Sequence, residues 1–341
     1  MTDYQIHHIT DYTYEDAASL SYNEAHLLPR SIKTMLYNQQ VTDAQIQIEP
    51  GWNDYSERQD FFGNRVIYYT VRQPHTQIAI TASSRVRVDG QLGPVNQTRD
   101  PVTDANQASQ PAAFWLWENA DQTEPWEDVV LQMRGELCDD QSPEVLDAQQ
   151  FCLPSPLIPV VDIVAEMANV HFWPRRPIVE ATLSLMTAIF NEFDFVPDAT
   201  DVTTPISEVM EKRQGVCQDF AQLMICALRC QGLAARYMSG YIESIPPAGE
   251  IKLEGSDASH AWCSLYVPKL GWIDFDPTNN LLPIEQHVIL GWGRDFGDVT
   301  PIKGVYYGGN NQTLNVSVDM KRMNFVNSKN HLSSSQAVEE S

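Results

Sequence analysis

Nowhere in its 341 residues does the chain carry the roughly 18 to 20 uninterrupted apolar residues that a membrane-spanning helix needs, which argues against an α-helical membrane protein. Its first residues, Met1-Thr-Asp-Tyr-Gln-Ile-His-His8, have neither the basic n-region nor the apolar core of a secretory signal, so a cytoplasmic protein is expected. Basic residues are scarce. With 22 Lys+Arg against 45 Asp+Glu the net charge is −23, which repels a phosphate backbone rather than releasing its counterions, so nucleic acid is not expected as a partner. The six cysteines form no CxxC pair and no dense cluster, which argues against a disulfide framework. Internal repeats and heptad runs are also missing, which speaks against solenoids and coiled coils.

What is present is large apolar surface. Hydrophobic residues make up 43% of the chain, with 8 Trp, 13 Tyr and 12 Phe, enough to bury two cores at about 150 residues per domain. The first ninety residues alternate at period two over Tyr4–Tyr14, Gln39–Glu49, Phe61–Val71 and Thr76–Val88, the mark of half-buried antiparallel strands. A β-sandwich over 1–90 is the natural package. Residues 91–111 are polar and turn-rich, and read as a linker or surface loop.

From 112 to 325 the pattern is α+β. Ser142-Pro143-Glu144 starts a helix, Val179–Phe193 is apolar at helical spacing, and Thr204-Pro205 opens a short helix to about Arg213. Cys217–Gln231 places Phe220, Leu223, Met224, Ala227 and Leu228 on one face and is closed by Gly232. Strand-like runs follow at 235–242, 258–267 and 271–276, with a further strand at Leu314–Met320 and a polar, Ser-rich tail over 326–341.

A catalytic cysteine needs a thiolate, a base and a group that orients the base. Cys217 stands at the start of a helix, where unpaired N–H groups and the positive end of the dipole favour the thiolate. Cys226 and Cys230 lie further along the same helix, where packing is the usual role. His260 begins a strand whose hairpin partner ends in Trp272-Ile-Asp-Phe-Asp-Pro277, and a register that sets 262 opposite 276 lets Asp276 reach His260 across the strands. Asp274 has the same parity and competes; Asp276 is preferred because Pro277 ends the strand beside it. On this spacing alone a buried structural histidine, a packed cysteine and a turn-capping aspartate remain an open alternative. Asp198-Ala-Thr-Asp201 lacks the ligand series of an EF-hand and reads as a turn, so neither a metal nor a cofactor is expected.

Four segments occur in order: Gly215-Val-Cys-Gln-Asp-Phe-Ala-Gln-Leu-Met224, Ala235-Arg-Tyr-Met-Ser-Gly-Tyr241, Asp257-Ala-Ser-His-Ala-Trp262 and Gly271-Trp-Ile-Asp-Phe-Asp-Pro-Thr278. Together they resemble the bacterial transglutaminase-like family, a branch of the papain-like cysteine enzymes. Residues 4–90 are similar to the β-rich N-terminal region often attached to that core, and Tyr306-Tyr-Gly-Gly309 to its C-terminal end. The resemblance implies a triad of Cys217, His260 and Asp276, the same residues that spacing selects. The chain departs from the family pattern at Gly232-Leu-Ala-Ala-Arg-Tyr237 and at Gln222, away from the triad.

The implied chemistry is acyl transfer from a protein or peptide amide through a thioester on Cys217, resolved by an amine or by water. The backbone N–H of Cys217 is the first candidate oxyanion donor, with Gln218 and Trp262 as candidates for the second. Asp219 offsets the helix dipole in the first turn. Asp257 and Ser259 either hold the His260 loop through local bonds or touch substrate. Two alternatives stand beside transglutaminase-type transfer: a thiol hydrolase of the same fold, and a non-catalytic peptide-binding scaffold. No membrane partner is expected.

Overall fold

A computed structural model of the protein describes residues 1–34, 37–90, 116–137, 142–244, 255, 257–283 and 285–323. The expected linker over 91–111 and tail over 326–341 lie outside these residues. Among the described residues no helix is long and apolar enough to cross a membrane.

The alternating segments of the first ninety residues become β1 (Thr2–Ala25), β2 (Ile32–Lys33), β3 (Tyr37–Glu49), β4 (Asp54–Gln59), β5 (Arg65–Val71) and β6 (His75–Gly90), joined antiparallel in the order β2-β3-β6-β1-β5-β4. β1 is longer than its regular alternation suggests. Its first half pairs with β6, the register shifts between Thr13 and Ala18, and its second half pairs with β5. Ile67, Tyr69 and Val71 of β5 therefore pack with Ile78 and Ile80 of β6 in one apolar cluster. The sandwich is thus a single antiparallel sheet curled over on itself, with the fold line in β1.

Two late strands complete this sheet. β13 (Ile302–Gly308) and β14 (Gln312–Arg322) both pair antiparallel with β1, on the side away from β5 and β6. The strand expected at Leu314–Met320 as the end of the catalytic core is β14, and its hydrogen-bonded neighbour is β1 of the N-terminal region. Sequence periodicity detects such a strand but carries no information about a partner three hundred residues away.

The core that follows is α+β, as expected. Its helices are α1 (Trp126–Met133), α2 (Pro143–Gln149), α3 (Asp162–His171), α4 (Ile178–Glu192), α5 (Ile206–Lys212) and α6 (Cys217–Cys230). The Ser142 side chain caps α2 by accepting from Val145 N. Between α4 and α6 the short strands β7 (Asp194–Phe195) and β8 (Gln214–Gly215) pair in parallel. The main sheet runs β11-β10-β9-β12, built from β9 (Ala235–Ile242), β10 (Ala258–Val267), β11 (Gly271–Phe275) and β12 (His287–Gly293). β9 and β10 are buried along almost their whole length because both faces of the sheet are covered. α6 packs on one face, where Phe220, Leu223, Met224 and Ala227 join the main core with Cys263, Leu265 and Phe275. On the other face Met238, Trp262, Val288 and Leu290 meet Tyr4, Ile6, Val86, Val88 and Met320 of the curled sheet. The central sheet is therefore clamped between the helices and the N-terminal region.

That clamp leaves no room at Gly240, in the middle of β9. A Cβ built there would lie 2.2 Å from the Val288 carbonyl oxygen and 2.6 Å from the Trp262 ring. Gly240→Ala is expected to lower stability at or above the upper end of the ~1–3 kcal/mol typical of overpacking, read as a fall in urea midpoint at unchanged slope. A midpoint equal to wild type would show that β9 and β12 do not approach this closely.

Candidate active site

The chain enters α6 through a sharp turn. Arg213 closes α5 in the left-handed conformation, β8 follows, and Val216 is extended, so that Cys217 becomes the first helical residue. Asp219 folds back over this start, accepting from Val216 N at 2.8 Å and from Thr200 Oγ1 at 2.6 Å. Gly215 is required because a Cβ there would lie 2.9 Å from the Asp219 carboxylate. Asp219 is buried, and burial pushes its carboxyl pKa up against these hydrogen bonds. It caps the helix start through these bonds, where the sequence led to the expectation of a carboxylate that offsets the dipole. Cys217 is left half-buried at the first position of the helix, where its own N–H and that of Gln218 have no intrahelical carbonyl to meet.

Opposite α6, the hairpin of β10 and β11 adopts the expected register. Cys263 pairs with Phe275, the alignment that brings 262 opposite 276. His260 Nε2–H then donates to Asp276 Oδ2 at 2.8 Å. Cys217 lines the same cleft as His260, near enough for its thiol to favour a proton on the imidazole. The three residues named from sequence are thus brought together, His260 between the Cys217 cleft and Asp276. Burial disfavours a proton on His260, but the Asp276 carboxylate and the Cys217 thiol outweigh it and push the imidazole pKa up to about 10.

Asp276 is fully buried and surrounded by donors. Oδ2 accepts from His260, from Asn279 Nδ2 at 2.7 Å and from His287 Nε2 at 3.0 Å, while Oδ1 accepts from the backbone N–H groups of Thr278 at 3.0 Å and Asn279 at 3.3 Å. Burial opposes its ionisation, yet the two imidazoles hold its pKa far below the usual carboxylate range. Neither Asn279 nor His287 was singled out from sequence. The apolar run Val-Ile-Leu after His287 signals a buried strand, but nothing local to it reveals that the histidine meets Asp276.

The remaining candidates fall into place differently. Asp274 accepts from Trp262 Nε1 at 3.1 Å, which leaves the orienting position to Asp276. Trp262 itself is fully buried, stacked beside His260 at 6.0 Å, and its N–H is committed to Asp274. The indole is therefore not placed to donate into the cleft as a second oxyanion donor. Gln218 lies half-buried beside Cys217 and does not line the cleft. Asp257 is buried and accepts from Ser244 N at 2.7 Å and Met320 N at 2.6 Å, tying the segment before β10 to β14. Ser259 is exposed at the rim of the cleft.

That cleft holds about 570 Å³ and exposes Cys217 and His260 among Phe195, Ile242, Ser244, Asn279 and Gln286. The N-terminal region braces its wall: Tyr4 Oη donates to Glu243 at 2.7 Å, and Arg322 of β14 pairs with the same carboxylate. His260, Asp276 and His287 each offer an atom of metal-ligating type, all within 4.8 Å of one another. Those atoms already form the two N–H···O bonds described above, so a metal ion there would have to displace both protons.

Residues 4–87 match the model of the bacterial transglutaminase-like N-terminal region, and residues 168–277 that of the transglutaminase-like superfamily. An uncharacterized protein of Mycobacterium tuberculosis is 33% identical over 323 residues, covering 93% of this chain and 92% of that one. A protein-glutamine gamma-glutamyltransferase of Pseudomonas aeruginosa is 31% identical over 131 residues, 36% of this chain and 18% of that one. A solved structure from Cytophaga hutchinsonii, described as a candidate cysteine protease, superposes with a TM-score of 0.66 at 19% identity, over 95% of this chain and 91% of that one. With residues 4–87 and 168–277 matched by family models, a relative 33% identical over nearly its full length and a shared fold, the chain belongs to the transglutaminase-like superfamily of papain-like cysteine enzymes.

Proposed function

We propose that the chain is a cysteine acyltransferase of transglutaminase type, with Cys217 as nucleophile, His260 as general acid and base and Asp276 as its orienter. The observation that carries this is the His260–Asp276 hydrogen bond to a buried carboxylate, with the Cys217 thiol at a helix start in the same cleft as that imidazole. Cys217 Sγ attacks the carbonyl carbon of an amide, and the developing oxyanion is met by the unpaired N–H groups of the first turn of α6. As the C–N bond breaks, His260 gives its proton to the departing amine or ammonia, leaving a thioester on Cys217. An incoming amine loses its proton to His260 and forms the new amide; water in its place gives the acid.

The Pseudomonas relative, named for glutamine γ-glutamyl transfer, supports the amine outcome. The hydroxyl and carboxamide groups of Ser244, Asn279 and Gln286 in the cleft suit a neutral amide side chain. A protein or peptide amide met in the cytoplasm is the proposed substrate. A thiol hydrolase is the second reading, favoured by the exposed rim at Ser259, through which water can reach the thioester.

The test needs no substrate. Iodoacetamide alkylation is followed at each cysteine by peptide mass mapping between about pH 4 and 9, in wild type and in His260→Ala. Cys217 is expected to be alkylated fastest in wild type and to lose that reactivity without His260. A Cys217 that reacts like the other thiols in both proteins would favour the non-catalytic scaffold instead.

A further inference from the structure

Two histidines converge on Asp276, and the mechanism above uses one of them. His287 opens β12 and is 1% exposed. It shares the Oδ2 acceptor with His260, at 3.0 Å against 2.8 Å. Its ring stands edge-on to Trp262 at 5.1 Å, and its Nδ1 has no hydrogen-bond partner among the described residues. A proton on Nδ1 would be a buried, unanswered donor, so burial pushes the His287 pKa down while that of His260 goes up. One carboxylate thus faces two imidazoles of opposite protonation preference, and His287 donates to Asp276 without competing for the proton that His260 carries.

His287 is held from the other side by the N-terminal region. Tyr37 Oη donates to the His287 carbonyl oxygen. Two positions along the strand, the Gln39 carboxamide brackets Ile289, donating to its O at 2.7 Å and accepting from its N at 2.8 Å. Both residues belong to β3. β12 is therefore fastened to the curled sheet at the point where it presents His287 to Asp276.

We propose that His287 is a positioning residue, seated by Tyr37 and Gln39 of β3, that fixes the Asp276 carboxylate in the orientation His260 requires. The proposal rests on the Cys217–His260–Asp276 assignment and adds a side chain that touches neither substrate nor thiol. Asp276 counts His287 among the groups that keep it ionised, so removing the ring lets its carboxyl take a proton at higher pH. The titratable groups around the pair are His260 on β10, Asp274 on β11, Tyr37 on β3 and, beyond His260, Cys217 on α6.

The experiment compares the pH profile of Cys217 alkylation by iodoacetamide in wild type, His260→Ala, His287→Leu, His287→Gln and Tyr37→Phe, each with its thermal unfolding curve. In His287→Leu the acid limb is expected to move up by about one pH unit, so that the rate near pH 6 falls about tenfold. His287→Gln returns a side-chain N–H near the lost one and is expected to recover the rate to within about threefold. Tyr37→Phe, which deletes one hydroxyl, is expected to shift the limb the same way by less, and it serves if the leucine variant does not fold. A loss of packing alone would lower the unfolding temperature without moving the profile of the folded molecules. Profiles that superimpose on wild type in the folded variants, or a folded glutamine variant that behaves as leucine, would overturn the proposal. A wild-type profile equal to that of His260→Ala would instead sink the triad assignment, and this proposal with it.

Discussion

Cys217→Ala is expected to lower acyl transfer on the order of 10⁴- to 10⁶-fold, because it removes the only atom of the triad that bonds to the acyl group. The unfolding temperature should move by a few degrees at most, since the side chain is half-buried and Asp219, not the thiol, caps α6. The measurement is incorporation of a labelled primary amine into a glutamine-containing protein, together with acid-quenched intact mass to detect the thioester. Neither signal should survive the substitution. Residual thioester would require another nucleophile, and two of the other thiols are poorly placed for it. Cys226 donates to the Pro159 carbonyl at 3.2 Å inside the helix packing, and Cys263 is fully buried, where burial pushes its pKa up. A transfer rate within tenfold of wild type would refute the assignment of Cys217.

The second large effect is expected at Asp276. An asparagine there cannot satisfy its surroundings, since Oδ2 faces three donors and Oδ1 faces two backbone N–H groups. Whichever way the amide turns, its NH₂ meets donors. If it faces His260, the imidazole accepts at Nε2 and carries its proton on Nδ1, pointing N–H at the thiol it should deprotonate. Asp276→Asn is therefore expected to cost about 10⁴-fold in kcat, as the loss of an orienting carboxylate does elsewhere, and to destabilise the fold by roughly 1–3 kcal/mol through the unmatched donors. Denaturant titration separates the two contributions, because rates referred to the folded fraction should still show the loss. A folded Asp276→Asn with near-normal turnover would assign the orienting role elsewhere.

The candidate site residues are legible in the sequence through local signals together with the four family-like segments. Cys217 follows a glycine-containing turn into a strongly apolar helix, and parity across a short hairpin lets His260 meet Asp276 or Asp274, a choice that the family segments favour and the hydrogen bond to Asp276 makes. The helix starts at Ser142 and Cys217 and the spans of β9 and β10 were equally local matters of capping and alternation. What escaped was non-local. His287 lies eleven residues beyond Asp276, on a strand whose place beside β9 is set by tertiary packing rather than by spacing. Trp262 looked like a cleft residue from its position beside His260, but its indole turns away because Asp274 offers an acceptor on the next strand. The second half of β1 was hidden where Glu15-Asp16-Ala17-Ala18 interrupts the alternation, and there the strand crosses from one half of the curled sheet to the other.

The pairing of β13 and β14 with β1 has a consequence for how the molecule is made. In vectorial synthesis β1 emerges well before its two late neighbours and keeps one edge bare until they follow. Such long-range closure is slow, and an open edge is adhesive while it lasts. The bond from Met320 N to Asp257 and the ion pair from Arg322 to Glu243 come from the same late strand, so the wall of the cleft is finished after the helix that carries the thiol. Order of synthesis thus leaves Cys217 in a half-built pocket until β13 and β14 have been made.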